Sequence, residues 1–364
     1  MPPSPSQFIT RPVEELLGRN PGYGFAGQGV STASGNYTMA ATDVQFSPGL
    51  LGLLDWTRTY NSLSGAVGPL GQGWATGLSA ALAPPAQGLL GGPGVPVLFH
   101  DTDGRVLTFL PTPSGGYDSP QDLHAALARA ADGTFTLDFN SGQAWAFDAA
   151  GRLTQRQQGG QQVTLGYNGA GQLLTAVHSS GRQLAFAYDQ ADRLASVTAS
   201  DGRAVGYGYT AGGLLESVTL PGGAVTQFEA ARGGQVAQVT DADGVVVVAN
   251  SFDDTGRVAH QDLPAGAGVD FSYDDSTGAT TVTTSPAGGP MVFQADQAGR
   301  LVAVTDPGRN TATFGFDGDG RLTEMVRPGG TRLAQAYDAV GHVTSRHRPG
   351  RPAPAMTSAA TRSG

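Results

Sequence analysis

One motif, an aromatic residue followed by Asp-x-x-Gly-Arg-Leu, returns along most of this chain, and its period constrains the fold more than any other feature. Clear copies are Phe147-Asp148-Ala149-Ala150-Gly151-Arg152-Leu153, Tyr188-Asp189-Gln190-Ala191-Asp192-Arg193-Leu194, Phe252-Asp253-Asp254-Thr255-Gly256-Arg257-Val258 and Phe316-Asp317-Gly318-Asp319-Gly320-Arg321-Leu322. Weaker copies start at Tyr167, Tyr209, Phe228, Tyr273, Ala295 and Tyr337. From 147 to 167, 188 and 209, and again from 295 to 316 and 337, successive starts lie 20 or 21 residues apart. A period of about 21 residues over about ten copies marks a repeat array, whose units stack on their neighbours instead of building separate cores.

Within a unit, the residues before the ring alternate with period two. Leu184, Phe186 and Tyr188 share one parity, as do Val205, Tyr207 and Tyr209, while Ala185, Ala187, Gly206 and Gly208 fall between them. This places aliphatics and rings on one face of a strand and small or polar residues on the other, as in an antiparallel sheet with one buried face. The Asp that follows suits a turn, because its carboxylate can bond the backbone two residues on, and the Gly accepts the left-handed conformation that closes the hairpin. Arg and Leu then begin the returning strand, with Arg expected to meet solvent. A second turn, such as Ser200-Asp201-Gly202-Arg203 or Arg327-Pro328-Gly329-Gly330, completes the unit. A lone hairpin is marginal in water, so the units must pair into one long sheet.

Composition agrees with an all-β chain. Gly at 55 and Pro at 23 of 364 residues supply many tight turns without reaching the level of wholesale disorder. With no Cys there are no disulfides and no thiolate metal sites. All 21 basic residues are Arg, and the net charge of −9 argues against nucleic-acid binding. No apolar run of about 18 residues marks a transmembrane segment, and no signal peptide is visible at the N-terminus. Export is therefore expected by a specialised secretion system or as part of a longer product.

Taken in order, residues 1–30 read as a flexible leader, in which Val13 to Leu17 can make one helical turn after Pro12. Residues 31–83 read as a small β-rich domain. There Leu54, Trp56, Arg58 and Tyr60 share a parity, and Arg58 needs a partner such as Asp43 or Asp55. Residues 84–96 read as a linker and 97–345 as the array, with His100 in the ring position of a degenerate first copy. Leu123 to Arg129 is the one stretch of good helix formers in a row. Residues 346–364 read as a disordered tail.

Two sets of residues carry a resemblance. Ser34-Gly35-Asn36-Tyr37, Thr42-Asp43, Arg58-Thr59-Tyr60-Asn61-Ser62 and Gly68-Pro69-Leu70-Gly71-Gln72-Gly73-Trp74 resemble the domain of unknown function that precedes RHS repeats. The repeated motif resembles the YD repeat of RHS-family proteins, which include bacterial polymorphic toxins, Tc toxin C components and teneurins. The resemblance implies a continuous antiparallel sheet spiralling into a shell, which in the toxin members encloses a C-terminal toxin. The C-terminal core and toxin of those members have no counterpart here. About ten repeats read as too few to close a cage, so the chain is expected to be a truncated product, a remnant or one part of a split gene. Expressed alone, such an array is expected to be poorly soluble through its unpaired edges.

The chemistry-bearing residues fall short of a site, and the expected catalytic, cofactor-binding and metal-binding sets are each none. His100, His124, His178, His260, His342 and His347 lack zinc-like spacing. The repeat aspartates read as turn caps, and Asp253-Asp254 and Asp274-Asp275 lack a calcium-loop pattern. Asp306-Pro307-Gly308 reads as an inter-strand turn and not as a self-cleavage site. Gly22-x-Gly24-x-x-Gly27 lacks the strand and helix of a dinucleotide site. Three function readings follow. The first is a non-catalytic shell or scaffold of an RHS-type competition toxin, whose partners would be a cargo or toxin domain and the rest of the shell. The second is a secreted or cell-surface carbohydrate-binding module using Trp56, Trp74 and Trp145 on glycans. The third is a remnant without independent function.

Overall fold

The structure, a computed structural model, describes residues 8–347 apart from 47, 85–89, 91, 93, 287 and 339. Among these residues the array forms one antiparallel meander of 22 strands, from Ala125–Arg129 to Val343–His347, each paired with the next in sequence. Register follows the alternation. Leu184 pairs with Ala199 and Phe186 with Val197, and this face is buried, while Ala185 and Ala187 lie exposed on the other. The sheet is thus specified by a period-two pattern that a one-residue slip would invert.

At each motif the register shifts so that ring and Leu or Val oppose each other, as at Phe147↔Leu153, Tyr188↔Leu194, Phe252↔Val258 and Phe316↔Leu322. One extra residue then sits on the returning strand, the mark of a β-bulge. The bulge also corrects one assignment. It falls at Glu229/Ala230, so Ala230 holds the ring position of that unit. Phe228 sits two residues earlier on the same face, where Phe186 sits in its own unit.

The N-terminal part contributes a three-stranded sheet of Thr38–Val44, Trp56–Asn61 and Trp74–Thr76. A four-stranded sheet follows, made of Ala81–Ala83, Val97–His100, Val106–Pro111 and Tyr117–Asp118. The expected first repeat copy therefore lies in this smaller sheet, and the long sheet starts at Ala125. Its turn is nonetheless built like the others, with Asp101 N bonding Arg105 O and Gly104 N bonding Asp101 O. Leu123 to Arg129 is no helix: Ala125–Arg129 pairs with Phe135–Phe139, burying Ala125 and Leu127. Cross-strand packing outweighs the helix propensity of the run.

The stretch expected as a flexible leader is packed from Phe8 onward, and residues 1–7 lie outside the described residues. Val13–Leu16 is a single 3-10 turn after Pro12 that buries Val13 and Leu16. Ile9, Leu16 and Tyr23 pack with Ala295 of the long sheet. Of the expected linker, residues 85–89, 91 and 93 lie outside the described residues, as do 348–364 of the expected tail; Arg346 and His347 belong to the last strand.

One apolar core joins the N-terminal module to the buried face of the sheet, running from Val30 and Tyr37 through Trp56 to Val269 and Val282. The module reaches the sheet from Gly151 to Leu301. Those strands span about 70 Å at a spacing of about 4.8 Å. A module of about 75 residues is only about 30 Å across. The sheet must therefore wrap around the module. The stretch before its first strand meets the turn after Thr311–Phe316 at a seam. Gln121 Nε2 donates to Gly318 O at 3.2 Å, while Arg11 donates to Asp122 Oδ2 and to Gln121 Oε1, each at 2.8 Å. At Gly320, φ is +80°, and a Cβ would fall 1.6 Å from Asp122 Oδ1. Only glycine fits the seam there. About ten repeats thus suffice to bring the wall round once.

Candidate functional site

The repeat corner is a fixed set of bonds. Asp148 Oδ1 accepts the amides of Ala150 and Arg152 at 3.0 and 2.9 Å, and its Oδ2 accepts Arg152 Nε at 2.8 Å. The Arg bonds recur at Asp189, Asp253, Asp296 and Asp317. Asn168 keeps the same two amide bonds with an amide oxygen. The arginines do not simply meet solvent. Arg152, Arg193, Arg257 and Arg321 lie 5.3, 4.6, 4.5 and 5.0 Å from the ring centroids of Tyr167, Tyr209, Tyr273 and Tyr337. Each of these four corners is therefore clamped to the next by a cation–π contact.

These corners carry the pH response. Asp189, Asp201 and Asp306 are held below the usual carboxylate range, first by side-chain bonds from Arg193, Arg203 and Asn310 and then by backbone amides. A carboxylate depressed in the folded state stabilises the fold above its unfolded pKa, about 3.9, and loses that contribution as pH falls through the folded value. We expect the urea midpoint to hold steady from neutral pH to about 5 and to fall below about 4. A midpoint that rises on acidification would contradict this assignment.

The second construction is a ladder between the rim of the wall and the module. At each bulge the residue opposite the ring position leaves the sheet's own bonding. Its carbonyl is taken by the next tyrosine. Tyr167, Tyr188, Tyr209 and Tyr273 donate to Leu153, Leu173, Leu194 and Val258 O at 2.7, 3.0, 2.7 and 2.7 Å. At four of these positions the amide is taken by the module. Leu194 N donates to Pro69 O at 2.9 Å, Val236 N to Tyr60 Oη at 2.8 Å, Val258 N to Gly35 O at 3.0 Å and Leu301 N to Gly22 O at 2.8 Å. Leu82 N donates to Gly151 O at 2.8 Å, and Thr280 Oγ1 donates to Thr32 O. The module runs across the repeats in reverse order, its residues 22 to 82 meeting rim residues 301 to 151.

The third is a buried latch. Arg58 Nε bonds both oxygens of Asp43 at 3.0 and 2.9 Å, and both residues are buried. Tyr207 Oη donates to Asp43 Oδ2 at 2.9 Å and accepts Trp56 Nε1 at 2.6 Å. Arg58 also lies 5.2 and 5.4 Å from the rings of Trp74 and Phe228. Of the two partners open to Arg58, Asp43 takes it; Asp55 instead accepts the Phe46 amide at 2.8 Å. Burial, then the Asp43 carboxylate, pushes the Tyr207 hydroxyl far up, so it stays a proton donor.

The residues singled out for chemistry are dispersed. Trp56, Trp74 and Trp145 are 2, 5 and 5% exposed. No aromatic platform faces solvent there, which removes the observation behind glycan binding. His342 rests on Asp338 at the exposed end of the array, and His178 is buried against Ser180 and Gln161. Asp306 caps its turn through Asn310. Gly22 is a rung of the ladder and not part of a phosphate loop. Among the described residues, no group of three or more His, Asp or Glu side chains is placed to hold a metal ion. No helix of these residues is long and apolar enough to cross a membrane.

Family models match in the same order as these constructions. A domain of unknown function, DUF6531, matches residues 27–109, the teneurin YD-shell matches 143–242, and the RHS repeat matches 296–332 and 316–353. The chain is an RHS/YD-repeat protein. No curated protein matches this YD-repeat chain. It is similar to the crystal structure of TcdB2-TccC3, at 15% identity and a TM-score of 0.42, over 71% of this chain and 16% of that one. It is also similar to TcdB2-TccC3-TEV, at 14% identity and a TM-score of 0.41, over 86% and 17%. The Photorhabdus luminescens Tc holotoxin pore follows, at 12% identity and a TM-score of 0.37, over 82% and 22%. The YD-repeat chain thus spans about a fifth or less of the length of these solved structures.

Proposed function

We propose that this chain is the plugged end of a non-catalytic, exported or cell-surface shell, whose wall continues beyond the last strand to enclose or present a cargo polypeptide. The observation that carries the reading is a gradient of cover along one face. Val197, Val205 and Val218 in the middle of the wall are all 0% exposed. From Leu301–Thr305 onward the equivalent residues are only half-buried, and the strand Val343–His347 is exposed throughout. A face built for burial and left half-covered fits a wall that goes on past the plug. The free edge of the last strand presents unpaired backbone groups to which a further strand can add. The matches to the YD-shell and RHS-repeat models support a wall-building role.

The test is co-expression of the tagged chain with the polypeptide encoded immediately downstream, followed by proteinase K. We expect the two to co-purify and part of the downstream chain to survive digestion. Protection should be lost with Ser345→Pro, because proline cannot donate to a strand ladder. Failure to associate, or digestion as fast as in the absence of this chain, would sink the reading.

A further inference from the structure

One corner of the array carries an amide where its neighbours carry a carboxylate. Asn168 stands where Asp148, Asp189, Asp253, Asp296 and Asp317 stand in other units, and of the seven asparagines in the chain it is the one followed by glycine. Its Oδ1 accepts the amides of Ala170 and Gln172 at 3.0 and 2.9 Å, and its Nδ2 donates to Gln172 Oε1 at 2.6 Å. The bond from Ala170 closes a ring of atoms that includes the Gly169 nitrogen, so the side-chain carbonyl is folded back toward that nitrogen. Gly169 is exposed, and nothing lies within 4 Å of where a Cβ would stand. Its N–H donates to no group among the described residues. A free nucleophile, a polarised carbonyl and an amine as leaving group therefore meet in one open turn.

We propose that Asn168 is a self-modification site, at which the corner converts its own amide to a carboxylate with water as the co-reactant. The Gly169 nitrogen gives up its proton and bonds to Cγ of Asn168, whose bond to Nδ2 breaks. The amine and that proton leave as ammonia. Water then adds at Cγ and breaks the new Cγ–N bond, which returns a proton to Gly169 and leaves aspartate; nothing is oxidised or reduced. The amides of Ala170 and Gln172 sit on the oxygen where charge develops during the attack, as donors in an oxyanion hole do. The turn also holds nucleophile and electrophile in one short segment. At Asp148, Asp189 and Asp317 the same nitrogen faces a carboxylate bonded to arginine at 2.8, 2.8 and 2.7 Å, which has no amine to lose. Water can also open the ring at the main-chain carbonyl and give isoaspartate. The two amides that bind Oδ1 in the aspartate corners favour the first opening.

The product rewires one contact. A carboxylate oxygen in place of Nδ2 meets Gln172 Oε1 acceptor to acceptor, so the Gln172 amide must turn its Nε2 toward it. That removes the bond from Gln172 Nε2 to Asp192 Oδ1, now 3.0 Å. Asp192 has φ of +60° at the corner position that Gly151, Gly256 and Gly320 hold in their units. It loses a partner at a place where its side chain already strains the backbone.

The test is incubation of the full chain at neutral pH in heavy-oxygen water, then digestion in ordinary water and peptide mass spectrometry. Only conversion in the folded chain then carries the label. The unfolded reference is acetyl-Gly-Tyr-Asn-Gly-Ala-Gly-Gln-amide, a copy of the corner. We expect label at residue 168 at a rate within about threefold of the reference, with aspartate as the main product. The exposed Asn140 and Asn310 should stay unlabelled over the same period. Asn168→Asp, which writes in the product, should speed hydrogen exchange of residues 189–194 by at least about threefold and leave 253–258 unchanged. A folded chain that converts about tenfold or more slowly than the peptide would overturn the proposal, because the corner would then protect the amide. Isoaspartate as the main product would overturn it too, since the corner would be broken and not completed. Unchanged exchange at 189–194 in Asn168→Asp would remove the rewiring.

Discussion

Replacing Arg58 by Met is expected to destabilise this protein by about 3–5 kcal/mol, the cost of leaving one partner of a buried ion pair without the other. Asp43 would keep the Tyr207 hydroxyl but lose both guanidinium bonds inside the core. Asp43→Asn should cost a similar amount, since Arg58 then lacks a carboxylate. Arg156 supplies the control. It too faces the module, donating to Gly77 O at 2.9 Å and lying 4.8 Å from the Trp145 ring centroid. Its Nε is buried without a partner, no carboxylate pairs with it among the described residues, and burial pulls its pKa down to about 10. Removing a buried cation that has no ion partner relieves a desolvation cost, so Arg156→Met should be neutral or stabilising. Urea denaturation followed by tryptophan fluorescence separates the two. Equal losses in both variants would show that Arg58 contributes packing and not charge pairing.

The difference between these arginines marks what a sequence can disclose. The parity of Leu54, Trp56, Arg58 and Tyr60 put Arg58 on a buried face, and only two nearby carboxylates were open to it. Arg156 occupies the position that Val197 and Val218 hold in their own repeats, but nothing in its local sequence says that no acid will face it. The corner motif was legible because it is local, with Asp, Gly, Arg and ring within seven residues and each bonding another within the same or next unit. The ladder was not. Its rungs are backbone carbonyls of Gly22, Gly35 and Pro69, whose side chains carry no signal of the bond. Their partners lie more than a hundred residues away. Curvature was also hidden, because sheet twist and coiling arise from bulges added up over many strands. The exposed-platform reading of the three tryptophans failed for the same reason. Phe186 and Phe228, which cover Trp56 and Trp74, belong to the opposite half of the chain, while Phe99 and Phe139 cover Trp145.

The wrap also decides which half depends on the other, and this leads to the largest effect expected. Deleting residues 1–83 should abolish cooperative folding of the array. The deletion uncovers Phe186, Val197, Val205, Tyr207, Val218, Phe228, Val239 and Val248, all now buried in the shared core. Burial of one such side chain is worth about 1.5–3 kcal/mol. Eight together therefore match or exceed the whole stability of a typical domain, about 5–15 kcal/mol. Neighbouring hairpins cannot replace the loss, because each offers its apolar residues to the same uncovered face. The strands would keep local hairpin structure but lose fixed packing. Residues 84–364 should then bind a hydrophobic dye, aggregate, and lack the sigmoidal urea transition expected of the full chain. A soluble fragment that unfolds cooperatively would mean that strand pairing alone holds the wall. The module would then be a passenger in a wall able to stand empty, and the half-covered final strands would need no plug to explain them.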